Sequence, residues 1–194
     1  LENQAKIRAR SPLVIISDAP INAIEANDTT IEVAPFAIDV SEVSNAQYEE
    51  CVTWGGCSGR PESNGTDNDP VTYVNALQAH HFCKWIGRRL PRSTEWSYTT
   101  LISTAEYRSL ITTRQDIPEL EDIDGLLNQI GEWSGTVNSN NTDWDGVTTL
   151  DLRMLGMGFD SSLPPVEDII TGIGTPPTFA EPIISFRCAS TIER

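Results

Sequence analysis

The sequence predicts an α+β fold, and three observations carry it. Short apolar runs of β type lie between residues 13 and 39. Two stretches with helical spacing follow between residues 45 and 87. Beyond residue 130, Gly131, Gly135, Gly146, Gly156, Gly158, Gly172 and Gly174 recur too often for long helices, which leaves short strands and long loops. In chain order, residues 1–12 are expected to be an extended lead-in and residues 13–194 one domain. Leu13 to Ile16 is the first strand. Thr30 to Asp39, with Ile31, Val33, Phe36 and Ile38, reads as one or two strands broken at Pro35. Ser41 or Ser44 caps a helix from Asn45 to Trp54, which Gly55 and Gly56 end. Residues 58–70 are nearly all turn-forming and must run over the surface. Val74, Leu77, His81 and Trp85 give helical spacing from Tyr73 to Gly87. Leu90 is held extended by Pro91, and Ser93 or Thr94 starts a shorter helix through Trp96 and Tyr98. Leu101 to Arg114 reads as helical, and Asp116 to Asp124 as an acidic loop.

Charge and composition exclude several roles. With 28 acidic against 13 basic residues the net charge is -15, which makes approach to phosphate backbones unfavourable, so nucleic acid is not an expected partner. That charge suits a solvated acidic surface, a salty habitat or a concentration of calcium. No run of eighteen apolar residues is present, so direct membrane insertion is not expected. Leu1 opens neither a signal sequence nor a start methionine, and a mature or excised product is expected. No G-x-S-x-G string is present, and His80 and His81 share one helix, so serine hydrolase chemistry has no support. Four cysteines, Cys51, Cys57, Cys83 and Cys188, allow three pairings. No C-x-x-C occurs, and a His-His-x-Cys run on a helix cannot aim three side chains at one zinc ion. An even count without metal spacing favours an oxidising compartment.

Several strings, in order, resemble those of a known family. Phe36-Ala37-Ile38-Asp39 with Glu42-Val43-Ser44-Asn45-Ala46-Gln47-Tyr48 is similar to its opening "F.ID..EVTN.QY". Pro70-Val71, Phe82-Cys83-Lys84-Trp85-Ile86-Gly87-Arg88-Arg89-Leu90-Pro91 and Thr94-Glu95-Trp96 are similar to its centre, "PV…YC.W.G.RLP.E.EW". Gln129-Ile130-Gly131-Glu132-Trp133-Ser134 resembles a weakened "NVWEWT", and Ser185-Phe186-Arg187-Cys188 the closing "GFRC". The family is that of the sulfatase-modifying factors, which includes the formylglycine-generating enzyme and its bacterial relatives.

The resemblance implies a C-type-lectin-like fold, in which two main helices flank small, twisted antiparallel sheets amid much irregular loop. It also implies the pairing Cys83 to Cys188, which leaves Cys51 to Cys57. The catalytic members carry two further cysteines before "FRC" that hold copper and perform the oxidation. Residues 153–187 contain none, so no copper and no enzymatic activity are expected. The family's calcium site, mapped residue by residue, offers the carbonyls of Asn128 and Ile130 and the carboxylate of Glu132. Separately, Asn141, Asp143 and Asp145 stand at alternate positions before Gly146, an arrangement that suits a calcium turn. Glu181-Pro182-Ile183 and Trp144-Asp145-Gly146 echo a lectin's sugar-binding strings only superficially.

The function expected is a non-catalytic extracellular recognition or assembly module. Its contact surface would come from loops at residues 58–70, 136–148 and 160–182, from Trp54 and Trp144, and from Ile169, Ile170, Ile173 and Phe179. The alternatives are an oxidase-like enzyme with altered chemistry and a calcium-dependent carbohydrate-binding lectin.

Overall fold

The computed structural model describes residues 2–16, 20–23, 28–59, 65–113, 123, 125–126, 130–137, 150–155, 165–171, 173–174 and 180–192. The chain opens with helix α1 (Glu2–Ala9), then strands β1 (Leu13–Ile16), β2 (Ile21–Ala23), β3 (Thr29–Ile31) and β4 (Phe36–Asp39). Helices α2 (Asn45–Thr53), α3 (Ala76–Trp85), α4 (Ser93–Ser103) and α5 (Ala105–Arg108) come next. Then come β5 (Ile111–Thr113), β6 (Gly131–Val137), β7 (Leu150–Leu155), α6 (Val166–Thr171), β8 (Ile173–Gly174), β9 (Ile184–Ser185) and β10 (Ala189–Thr191). The fold is α+β. Among the described residues its strands form three small sheets, ordered β1-β4-β10, β3-β2-β5 and β8-β7-β6-β9.

The caps explain where the helices begin. Ser44 accepts from the Gln47 N–H while the Gln47 side chain accepts from the Ser44 N–H, and Asn75 and Gln78 repeat this reciprocal box before α3. The remaining donors at the α2 N-terminus reach Asp69 and Asp67, so the end of the 58–70 loop is anchored on that helix. The sequence of α4, rich in serine and threonine, is a poor helix former. Burial of nearly the whole helix holds it, and Ser97, Thr99 and Thr100 return their hydroxyls to carbonyls four residues back.

Two apolar clusters form among the described residues. One gathers Tyr48, Phe82, Ile86, Trp133 and Phe186 around α2 and α3, with Phe82 meeting Phe186 edge-on at 5.5 Å. The other gathers Phe36, Ile38, Trp96, Tyr98, Leu101 and Ile169 around α4.

Four expectations are corrected. The lead-in is not extended: α1 is helical, because Ile7 is fully buried and Ser11 closes onto the Ile7 carbonyl. The helix expected from Leu101 to Arg114 ends at Ser103 and, after a short turn of helix, gives way to β5, where Ile111, Thr112 and Thr113 favour an extended chain. The sheets are not wholly antiparallel, since β6 and β9 run parallel. Ile169, expected at a contact surface, is buried in the α4 cluster, and Ile170 packs partly against the same cluster.

Candidate functional site

The closing string places three consecutive side chains in three different structures. Phe186 enters the aromatic cluster, Cys188 bonds Cys83, and Arg187 turns to the opposite face and is fully buried. Arg187 makes a two-pronged contact with Glu132, Nε to Oε2 at 2.8 Å and Nη2 to Oε1 at 2.6 Å. Its Nη1 donates to the carbonyls of Asp39 and Val40, and Nη2 also faces Glu42 at 3.5 Å. Trp96 donates its indole N–H to the Oε2 of Glu132 at 3.1 Å. Burial works against the charged guanidinium, but Glu132, Glu42 and Asp39 outweigh it and raise the Arg187 pKa.

Asp39 extends this network. It accepts from Arg88 and from the Cys188 N–H. Burial pushes its carboxyl up to about 7, against the opposing pull of Arg88, the Cys188 N–H and Arg187. A second pair, Arg89 with Glu95, is two-pronged at 2.6 and 2.7 Å, and Glu95 also caps α4 by accepting from the Arg92 N–H. The network ties β4, β6, α4 and the segment before β10 together. Its carboxylates face guanidinium groups and indole rather than solvent, and its work is to position those elements.

The cysteines are all committed. Cys51–Cys57 closes the turn after α2, and Cys83–Cys188 joins α3 to the end of the chain, so no thiol remains free. Beside the first bridge, Trp54 and Trp85 lie with ring centroids 6.1 Å apart. Gly56 packs against the Trp85 indole so closely that a Cβ would collide with it. Trp54 is therefore half-buried in an aromatic corner rather than a free-standing anchor.

Of the expected calcium ligands, Glu132 is engaged by other groups. Both of its oxygens are engaged by Arg187 and Trp96, and no cluster of three metal-binding side chains occurs among the described residues. The carboxylate does not fit a calcium ligand in this arrangement. Ile130 is half-buried, whereas Asn128, Asn141, Asp143, Asp145, Trp144 and Phe179 lie outside the described residues. Ile173 is in β8, opposite Met154. Sequence reasoning quoted Arg187, Asp39, Glu42, Arg88 and Glu95 inside its strings but gave them no role. The available signal was a charged residue set among apolar neighbours, as in Ile38-Asp39-Val40 and Phe186-Arg187-Cys188.

The comparisons with known proteins agree with the fold. The model of the sulfatase-modifying factor enzyme 1-like domain matches residues 9–114. Among solved structures, CarF superposes with a TM-score of 0.65 and 14% identity, covering 94% of this chain and 99% of that one. PvdO from Pseudomonas aeruginosa gives 0.60 and 13%, covering 93% and 94%. Treponema denticola variable protein 1 gives 0.59 and 12%, covering 94% and 95%. At these identities the likeness shows the fold alone. No curated protein matches the sequence.

Proposed function

Because the chain belongs to the sulfatase-modifying factor enzyme 1-like family, we propose that it is a non-catalytic module that recognises a protein partner, or assembles with its own copies, outside the cell. One observation carries the reading: all four cysteines are closed into two disulfides, and no free thiol exists in the chain. The oxidation performed by the resembled enzymes runs through two thiolates, as nucleophile and as soft ligands for copper. A disulfide sulfur supplies neither. The polar centre around Glu132 supports the same reading, because its groups are buried and spent on one another.

The disulfides favour an oxidising compartment, and no helix among the described residues is long and apolar enough to cross a membrane. Surface offered for contact includes residues 58–59 and 65–69, which are exposed, and the Trp54 corner. Native mass spectrometry of the protein from its source, without reductant, tests the reading. The expected result is an oxidised chain, free of copper, in a defined multimer or complex. A copper-bearing monomer with free thiols would overturn it.

A further inference from the structure

The two disulfides differ in what a thiol can reach. Cys51, Cys83 and Cys188 are fully buried. Cys57 is half-buried at the rim, followed by exposed Ser58 and Gly59, and is the one cysteine of the four with surface open to solvent. Exchange requires a thiolate to approach one sulfur of the bridge. A bridge with an exposed end therefore reacts in the folded chain, whereas one closed at both ends reacts only when the chain opens.

The turn survives without its S–S bond. Cys51 lies in the last turn of α2, and Gly55, at a φ of 71°, reverses the chain back toward it. The N–H groups of Gly56 and Cys57 both donate to the Cys51 carbonyl, at 2.9 and 3.3 Å, and the Gly55 N–H donates to Val52. Further on, the Tyr48 hydroxyl donates to the Ser58 carbonyl and the Gln78 amide to the Gly59 carbonyl. Cutting the bridge thus leaves two thiols in a folded chain. What it removes is the covalent tie on the turn that carries Trp54 and presses Gly56 onto Trp85.

We propose that Cys51–Cys57 is a thiol-exchange site of the folded protein and a reversible catch on the Trp54–Trp85 corner, while Cys83–Cys188 is a permanent staple. The reactant is a small thiol, RSH. Its thiolate attacks the exposed Cys57 sulfur, forming RS–S–Cys57, and Cys51 leaves as a thiolate that takes up the proton the first RSH gave up. A second RSH attacks this mixed disulfide in the same way, releasing RSSR and leaving Cys57 as a thiol. Two electrons pass from two RSH to the bridge. Withdrawal of the thiol in the presence of an oxidised disulfide reverses both steps, because the backbone bonds keep the two residues, 5.3 Å apart at Cα in the closed form, near each other.

The corner belongs to the surface offered for contact, so the inference deepens the recognition reading and rests on it for its consequence. Exchange is scored on the chain alone, and its failure is therefore distinct from failure of that reading. The probe is β-mercaptoethanol, a neutral thiol that a net charge of -15 does not repel, in excess at about pH 8. Thiols are trapped by alkylation and located by peptide mass. Without urea, two alkyl groups should appear, on Cys51 and Cys57, while Cys83–Cys188 stays closed; with urea, four should appear. The two-thiol form should keep a cooperative melting transition and show red-shifted tryptophan emission, which oxidised glutathione reverses. The double variant Cys51→Ser, Cys57→Ser should emit like the reduced chain and not respond to the thiol. No alkylation without urea, reduction of both bridges together, an unshifted emission, or a thiol response in the double variant overturns the proposal.

Discussion

Replacing Cys83 and Cys188 together by alanine, and Cys51 and Cys57 together in a second variant, separates the two cross-links by the length of chain each closes. The first bridge spans 105 residues and the second 6. In the chain-entropy description these closures contribute about 5 and about 2 kcal/mol. The larger effect also falls where the bridge joins α3 to the segment that seats Phe186 and Arg187, so its loss loosens the aromatic cluster and the buried network together. Urea unfolding followed by tryptophan fluorescence measures both. Free energies should be extrapolated to water, because removing a cross-link expands the unfolded chain and steepens the denaturant slope. The long-loop variant should lose about 2.5 kcal/mol more than the short-loop one. Equal losses, or a greater loss from the short loop, would refute the reasoning.

Three further outcomes follow from the packing. Arg187→Met leaves Glu132 and Glu42 buried without their guanidinium and should cost about 3–5 kcal/mol in urea unfolding, whereas a change below about 1 kcal/mol would mean the network is not integral to the fold. The folded chain holds the Asp39 proton more tightly than the unfolded chain, whose ordinary value is 3.8, so the stability this group contributes is full below pH 4 and lost as pH rises through about 7. The stability of wild type relative to Asp39→Asn should therefore fall between pH 4 and pH 8, and a difference that stays flat or grows would contradict the burial argument. Gly56→Ala forces Trp85 aside and should cost about 1–3 kcal/mol, with red-shifted tryptophan emission as its sign; an unshifted spectrum at full stability would show that the corner is loosely packed.

Legibility in the sequence followed how local each cause is. β1 coincides with its apolar run, and α2 and α3 lie within the stretches their spacing marked, because caps and periodicity act over a few residues. α1 was invisible, since its one buried residue, Ile7, makes no pattern and its anchor to Glu50 through Arg10 lies forty residues away. β2 has only Ile21-Asn22-Ala23 to announce it and exists because β3 and β5 pair on its two sides. The motif strings carried the family and the disulfide pairing, yet not the union of Arg187, Glu132 and Trp96. That union needs three segments brought together by the fold, and no spacing along the chain encodes it.

The most direct test of the central claim is oxygen uptake by the oxidised protein supplied with copper(I) and a cysteine-containing peptide. With every cysteine held in a disulfide, the rate should equal that of copper and peptide alone. Catalytic turnover above that background would contradict the account and return the chain to the enzymes of its family.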